Sequence, residues 1–300
     1  MTSDLFNLGY QFLVNISFLM FAAMGLTIVL GMLNIINLAH GEFIMMGAYT
    51  ATIAVHNGVP FVLAVMLATF AVGIFGAVIE RLVIRRFYGN KLNALVATFG
   101  LSLIISQGTL LLFGPFLQGI KMPLGGFKVG DYSYATYLLV IAGLAFVVLG
   151  ALWFLFYRTR LGVDMRATMQ NPDMARALGV NTSRIYMFSF ALGAALAGLT
   201  GALYAPTTTI VPLFGSSFIA PAFITVVIGG GANPLIGALA SSSLLALVQT
   251  PLSSEFSAFA GRIGLMFAAL LMMRFLPDGL SHYIQAAFLN RRRARAEKSR

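Results

Sequence analysis

The chain alternates long apolar runs with short polar gaps. A helix that crosses the hydrocarbon core of a bilayer needs about 20 predominantly apolar residues, and fewer where it is broken or re-entrant. By that measure the runs near 11–31, 35–56, 60–80, 93–113, 135–157, 185–205, 216–230, 233–250 and 258–276 predict eight or nine membrane-crossing or re-entrant helices. A membrane barrel would show period-two alternation instead, and these runs do not. The predicted fold class is an all-α polytopic membrane protein, and the first apolar stretch, which lacks a basic leader, is expected to stay as a span.

Two runs are interrupted. The stretch from Leu26 to Tyr49 sets Asn34, Asn37, His40 and Glu42 among apolar residues. Burying an ionisable side chain in hydrocarbon costs about 2.5 kcal/mol or more, so such groups face a bundle interior or a water-filled path. From Ala220 to Ala238 the run carries Gly229, Gly230, Gly231, Asn233 and Pro234 at its middle, where a regular helix should break. One broken segment in each half of the chain points to a transport site built from discontinuous helices. Asn34, Asn37, His40, Glu42, Gly230 and Asn233 are the candidate path or gate residues. Three readings of His40 and Glu42 stay open: they tie a broken helix to its neighbours, they belong to the path or gate, or they form a proton relay.

The longest polar gap, Tyr157 to Tyr186, is more than a linker. Asp164 to Met169 and Asp173 to Leu178 each suit a short helix, with Asn171 and Pro172 between them, Asp173 as a first-turn acid and Gly179 as a stop. Two short helices joined by a turn make a rigid surface. Beyond them Gly193, Ala194, Ala197, Gly198 and Gly201 recur at spacings that let helices approach closely in lipid.

Composition agrees with the pattern: 59% hydrophobic, 9% charged and a mean hydropathy of +0.90 lie far from soluble domains, where about a quarter of residues are charged. The net charge of +10 does not point to nucleic acid, because the last ten residues alone hold six basic residues against one acid. The other basic groups, Arg81 to Lys91 and Arg158 to Arg184, fill two gaps in the pattern that fixes membrane orientation. Both gaps and the tail are expected in the cytoplasm and the N-terminus outside, with 114–134 as an external loop. The expected division is a permease domain over 1–290 and a basic cytoplasmic tail over 291–300. No cysteine and only three histidines, without a metal-ligand spacing, leave no metal or cofactor expected. No phosphate-cradling GxxxxGK[ST] loop occurs, so this chain is not expected to be an ATPase or another enzyme.

The segment GLTIVLGMLNIINLAHGEFIMMGAYTA from Gly25, with RATMQNPDMARALGVNTSRIYMFSFALGAALAGLTGALYAP from Arg166, resembles the permease subunits of branched-chain amino-acid ABC importers. FLPDGL from Phe275 is similar to that family's RPxGLxG element, with Leu276 and Ser281 departing from it. The resemblance implies an ABC importer permease fold and coupling helices over about 164–181 that dock on nucleotide-binding subunits. Arg166, Ala167, Asn171, Pro172, Ala175, Leu178 and Gly179 match there. It also implies a second, related permease, two ATP-binding subunits, an external or periplasmic substrate-binding protein, membrane lipid as surroundings, and import of branched-chain amino acids across the inner membrane. The alternatives are a urea or short-amide ABC permease and a self-sufficient ion-coupled transporter.

Overall fold

Each apolar run that predicted a crossing holds a helix in the computed structural model, which describes residues 2–231, 233–276 and 279–287. In chain order these are α1 (Thr2–Leu33), α2 (His40–His56), α3 (Phe61–Leu82), α4 (Lys91–Phe113), α5 (Thr136–Arg158), α6 (Arg160–Gln170), α7 (Pro172–Ala177), α8 (Thr182–Tyr204), α9 (Ser216–Gly229), α10 (Pro234–Glu255) and α11 (Ala258–Phe275). Residues 280–287 are also helical. Among the described residues seven helices, α1, α3, α4, α5, α8, α10 and α11, are long and apolar enough to cross a membrane. Helices α2 and α9, with 17 and 14 residues, are shorter than the usual ~20-residue span. The tail 291–300, and Pro277 and Asp278 of the FLPDGL element, lie outside the described residues.

The loop expected over 114–134 contains a small antiparallel hairpin, β1 (Gly126–Val129) and β2 (Tyr132–Ala135), paired Gly126 with Ala135 through Val129 with Tyr132. Gly130, at φ +62°, takes the left-handed turn position. The hydroxyl of Tyr10 on α1 donates to the Ala135 carbonyl at 3.1 Å and accepts from the Ala135 N–H at 3.2 Å, occupying a strand end that would otherwise be unpaired. Tyr134 packs against the Tyr10 ring, and Phe6 meets Tyr134 and Phe127 edge-on. The first turns of α1 and the hairpin therefore form one end of the molecule. Tyr88 and Lys91 from the first basic gap and Arg176 from the second line one cavity at the other end.

Helix α8 is the centre of the bundle, and its small residues explain why. A Cβ on Gly201 would fall on the Ile44 carbonyl, one on Gly47 would fall on the Gly198 carbonyl, and one on Gly193 would meet the Gly25 carbonyl oxygen at 2.8 Å. Ala194 fills the space beside Gly76 in the same way. Hydrocarbon supplies no hydrophobic force between helices, so van der Waals contact and interhelical hydrogen bonds hold this core. Thr200 on α8 donates to the Phe21 carbonyl of α1 at 3.0 Å, Tyr137 on α5 donates to Leu203 at 2.6 Å, and Ser241 on α10 donates to Thr225 of α9 at 2.7 Å.

Glycines at these contacts should not tolerate even one methyl group. Gly201→Ala is expected to destabilise the chain by about 1–3 kcal/mol, the usual range for overpacking. Gly143→Ala, mid-helix with open space around it, should leave stability unchanged or slightly raised. Thermal unfolding of both variants in the same detergent checks this; equal midpoints would refute the close-approach account.

Candidate functional site

The first interruption is an unwound segment. Helix α1 ends at Leu33, and Asn34 adopts φ +53°, a left-handed stop that asparagine tolerates better than most side chains. The Asn34 N–H still bonds to the Leu30 carbonyl at 2.9 Å, and the chain then runs outside helix, through a turn at residues 38 and 39, until α2 starts at His40. The His40 imidazole donates from Nε2 to the Ala22 carbonyl at 3.0 Å. Ala22 lies eleven residues before Leu33, or about 16 Å along a helix. The chain therefore doubles back beside α1, and α2 starts part-way along it.

The freed backbone groups of that segment find partners from side chains. Thr98 on α4, fully buried, accepts from the Leu38 N–H at 3.2 Å and lies 3.3 Å from the Ile36 carbonyl. Asn37, 1% exposed, accepts from Ala39 N–H at 3.1 Å. His40 is also 1% exposed, and its Nδ1 has no hydrogen-bond partner among the described residues. Glu42 turns elsewhere, toward Ser102 on α4. The structure thus places Asn37 and His40 inside the packing and does not bring His40 and Glu42 together. The start of α2 also meets the start of α9, since a Cβ on Gly215 would land on the Gly41 carbonyl.

The second interruption is a tight turn between α9 and α10. Gly230 ends α9 at φ +75°, and Asn233 opens α10 by accepting from the Ile236 N–H at 3.3 Å. The backbones of Gly229 and Gly237 face each other, so a Cβ on either would meet the other's main chain. Gly31 of α1 lies against Pro234 and Met169. Both interruptions reach one cavity of about 1130 Å³ at the basic end, lined by Asn34 and Ile35 from the first, Gly230, Gly231 and Pro234 from the second, and Thr168, Pro172 and Arg176 from the polar gap between α5 and α8. Asn34 and Gly230 line it; Asn37, His40, Glu42 and Asn233 do not. A second cavity of about 520 Å³ lies toward the hairpin end, between α1, α9, α10 and α11, with Asn15, Ser217, Gln249 and Arg262 among apolar side chains.

The polar gap folds as two helices joined at Asn171. Helix α6 begins earlier than the expected Asp164, at Arg160, because Thr159 accepts from the Gly162 N–H at 3.1 Å and so caps it. The Asn171 side chain accepts from Asp173 and Met174 N–H at 3.1 and 3.0 Å, and Pro172 fits the first turn of α7. Gly179 leaves at φ +89°. Met174 is 59% and Leu178 76% exposed, whereas Ala175 is 2% exposed and faces inward. Ala175, expected on the outer surface, is instead part of its underside. Arg166 also turns inward: its Nη1 is buried, without a hydrogen-bond partner among the described residues, and its guanidinium lies over the Tyr157 ring.

One cluster at this end was not anticipated from sequence. Glu80, fully buried at the end of α3, pairs with Arg85 at 3.3 Å and accepts a short hydrogen bond from Tyr88. Burial first, then the Glu80 hydrogen bond, push the Tyr88 hydroxyl above the ordinary phenol range. The Glu80 hydrogen bond raises Arg85 in turn. Tyr88 lines the large cavity and meets Tyr186 edge-on at 5.0 Å, so the cluster holds the turn after α3 against α8. A lone acid within an apolar helix, followed five residues later by Arg85, was the available signal.

Residues 10–276 match the family described as branched-chain amino acid transport system / permease component. The high-affinity branched-chain amino acid transport system permease protein BraD of Pseudomonas aeruginosa is 31% identical over 277 residues, covering 86% of this chain and 89% of that protein. The corresponding permease LivH of Salmonella typhimurium is 29% identical over 278 residues, again covering 86% and 89%. The autoinducer 2 import system permease protein LsrC of Yersinia pseudotuberculosis is 26% identical over 251 residues, covering 78% of this chain and 66% of that protein. No solved structure matches the chain.

If the Glu80 cluster is an ion pair holding the cavity wall, Arg85→Ala should destabilise the chain by about 1–3 kcal/mol, because a buried carboxylate loses its counter-ion. Adding Glu80→Gln to Arg85→Ala should restore most of that loss. Unfolding of the single and double variants tests it, and a double variant no better than Arg85→Ala would refute the charge argument.

Proposed function

This chain belongs to the family of branched-chain amino acid transport permease components, and from that premise we propose that it is one of two membrane-spanning subunits of an ATP-driven importer of branched-chain amino acids. In this reading a related permease completes the membrane unit, two separate ATP-binding subunits hydrolyse ATP, and an external binding protein delivers the substrate. The basic end faces the cytoplasm of a cell whose inner membrane holds the complex, and the hairpin end with the N-terminus faces outward, as the excess of Lys and Arg at one end favours.

One observation carries this reading: the α6–α7 pair presents Met174 and Leu178 to solvent beside the same cavity that both helix interruptions reach. Two large apolar side chains exposed on a polar connection, away from the lipid-facing helices, suit insertion into a partner's groove. The rigid turn at Asn171 would carry the partner's motion to α6. A zwitterionic aliphatic substrate needs a polar partner at each end and an apolar lining. The large cavity offers freed backbone groups at the interruptions, and the hydroxyls of Thr27, Thr168, Thr182 and Ser183 from the helices around them, among Leu, Ile, Met and Val. Asn37, His40 and Asn233 hold the interruptions in shape beside it. Selectivity resting chiefly with the binding protein is consistent with a relative whose name assigns it a different cargo, autoinducer 2.

Met174→Asp together with Leu178→Asp should weaken association with the ATP-binding subunits by about tenfold or more, since burying each apolar side chain is worth about 1.5–3 kcal/mol. Co-elution with those subunits and leucine uptake by reconstituted complex are the measurements, with a monodisperse variant as the control for folding. Wild-type chain that never co-elutes, yet alone takes up leucine on an ion gradient, would overturn the proposal in favour of a self-sufficient transporter.

A further inference from the structure

Arg166 and Asn233, from separate parts of the sequence, converge on Tyr157. The Arg166 guanidinium of α6 sits 5.0 Å from the centroid of the Tyr157 ring, near the end of α5. The Tyr157 hydroxyl accepts a 2.7 Å hydrogen bond from the Asn233 side-chain N–H. The same Asn233 uses its carbonyl oxygen to cap α10. Three side chains thus form an unbroken link from the middle of α6 to the first turn of α10.

The receiving end of this link is a place where the chain can bend. Gly230 stands in the left-handed region between α9 and α10, and Gly279 approaches it so closely that a Cβ would strike the Gly230 backbone. Asn233 and Pro234 then restart the helix. Met169 of α6 and Pro234 of α10 also both pack against Gly31 of α1, which makes a second, indirect contact between the two helices. That contact is apolar and close-packed: it resists compression, and gives little resistance to separation. The Arg166–Tyr157–Asn233 link is directional and resists separation as well, through a hydrogen bond and a cation–π contact. Steric packing can push the interruption; the polar link can also pull it.

We infer that Tyr157 is a positioning residue that transmits displacement of α6 to the start of α10, so that motion received at α6–α7 reshapes the cavity wall at Gly230 to Pro234. The inference rests on the reading of α6–α7 as the surface that receives that motion. Tyr157 itself does not line the large cavity. Its ring and its hydroxyl have separable parts, the ring toward Arg166 and the hydroxyl toward Asn233.

The test has two arms. In the purified full-length chain, hydrogen exchange is followed at the Ile236 and Gly237 amides, which bond to the Asn233 side chain and carbonyl respectively. Arg166→Ala should speed exchange there by about three- to tenfold, the scale of one lost hydrogen bond, and should have no such effect when Tyr157→Phe is already present. In the complete complex in liposomes, with radiolabelled leucine as probe, Tyr157→Phe and Asn233→Ser are compared singly and together. Serine keeps a capping oxygen and removes the amide donor. Each single variant should lower leucine carried per ATP hydrolysed by about three- to tenfold, the double variant no further, with ATP hydrolysis itself held within about twofold.

Exchange at Ile236 and Gly237 that ignores Arg166, or that responds equally with phenylalanine at position 157, overturns the inference. So do single-variant losses that multiply in the double variant. A wild-type complex that fails to carry leucine, alongside intact exchange coupling in the lone chain, overturns the proposed function and leaves the physical link standing.

Discussion

A backbone amide freed inside hydrocarbon has no water to turn to, and an unsatisfied group there costs several kcal/mol. Every irregular feature of this bundle is shaped by that constraint. The unwound segment 34–39 is tolerable because Thr98 meets Leu38 and Ile36, Asn37 meets Ala39, and His40 reaches across to Ala22. The turn between α9 and α10 is tolerable because Asn233 caps the restarting helix and Pro234 has no N–H to satisfy. Polar residues in the apolar runs are therefore first of all what permits the runs to be broken. Their positions decide where the chain can open a cavity.

The same constraint explains which parts of the site could be read from sequence. Gly229 to Gly231 followed by Asn233 and Pro234 announces a helix end and a helix start, because those residue types act through local backbone geometry. Asn171 and Gly179 are legible for the same reason, and the α6–α7 pair follows from them. The doubling back of 34–39 beside α1 is not legible, since it depends on Thr98, which lies some sixty residues away and gives no local sign of its role. The extra turn of α6 depends on Thr159, one threonine among several, whose role shows only once α5 has ended at Arg158.

Burial was harder to read than structure. Arg166 and Ala175 belong to a motif whose residues looked like one outward surface, yet the helix turns them inward while Met174 and Leu178 face out. A six-residue helix such as α7 has too few turns for periodicity to assign its faces. The small residues of α8 were clearer, because Gly193, Gly198 and Gly201 at helical spacing imply close approach whichever neighbour provides it. That the neighbours are α1, α2 and α3 comes only from the fold.

These arrangements meet at the basic end of the molecule. A bundle packed on glycine at its centre is stiff, because backbone contacts at van der Waals distance leave no side chains to adjust. In the proposed mechanism, displacement entering at α6 is therefore poorly absorbed by the α1–α2–α3–α8 core and passes to the two interruptions. One of them, 34–39, is held to α4 by Thr98 and to α1 of the core by His40. The other ends in Gly230 and Asn233, and Asn233 is held to α5 by a single side-chain hydrogen bond. In the proposed mechanism the α9–α10 turn, joined to α5 through Asn233 and lining the cavity at Gly230, Gly231 and Pro234, is the part of the wall that moves.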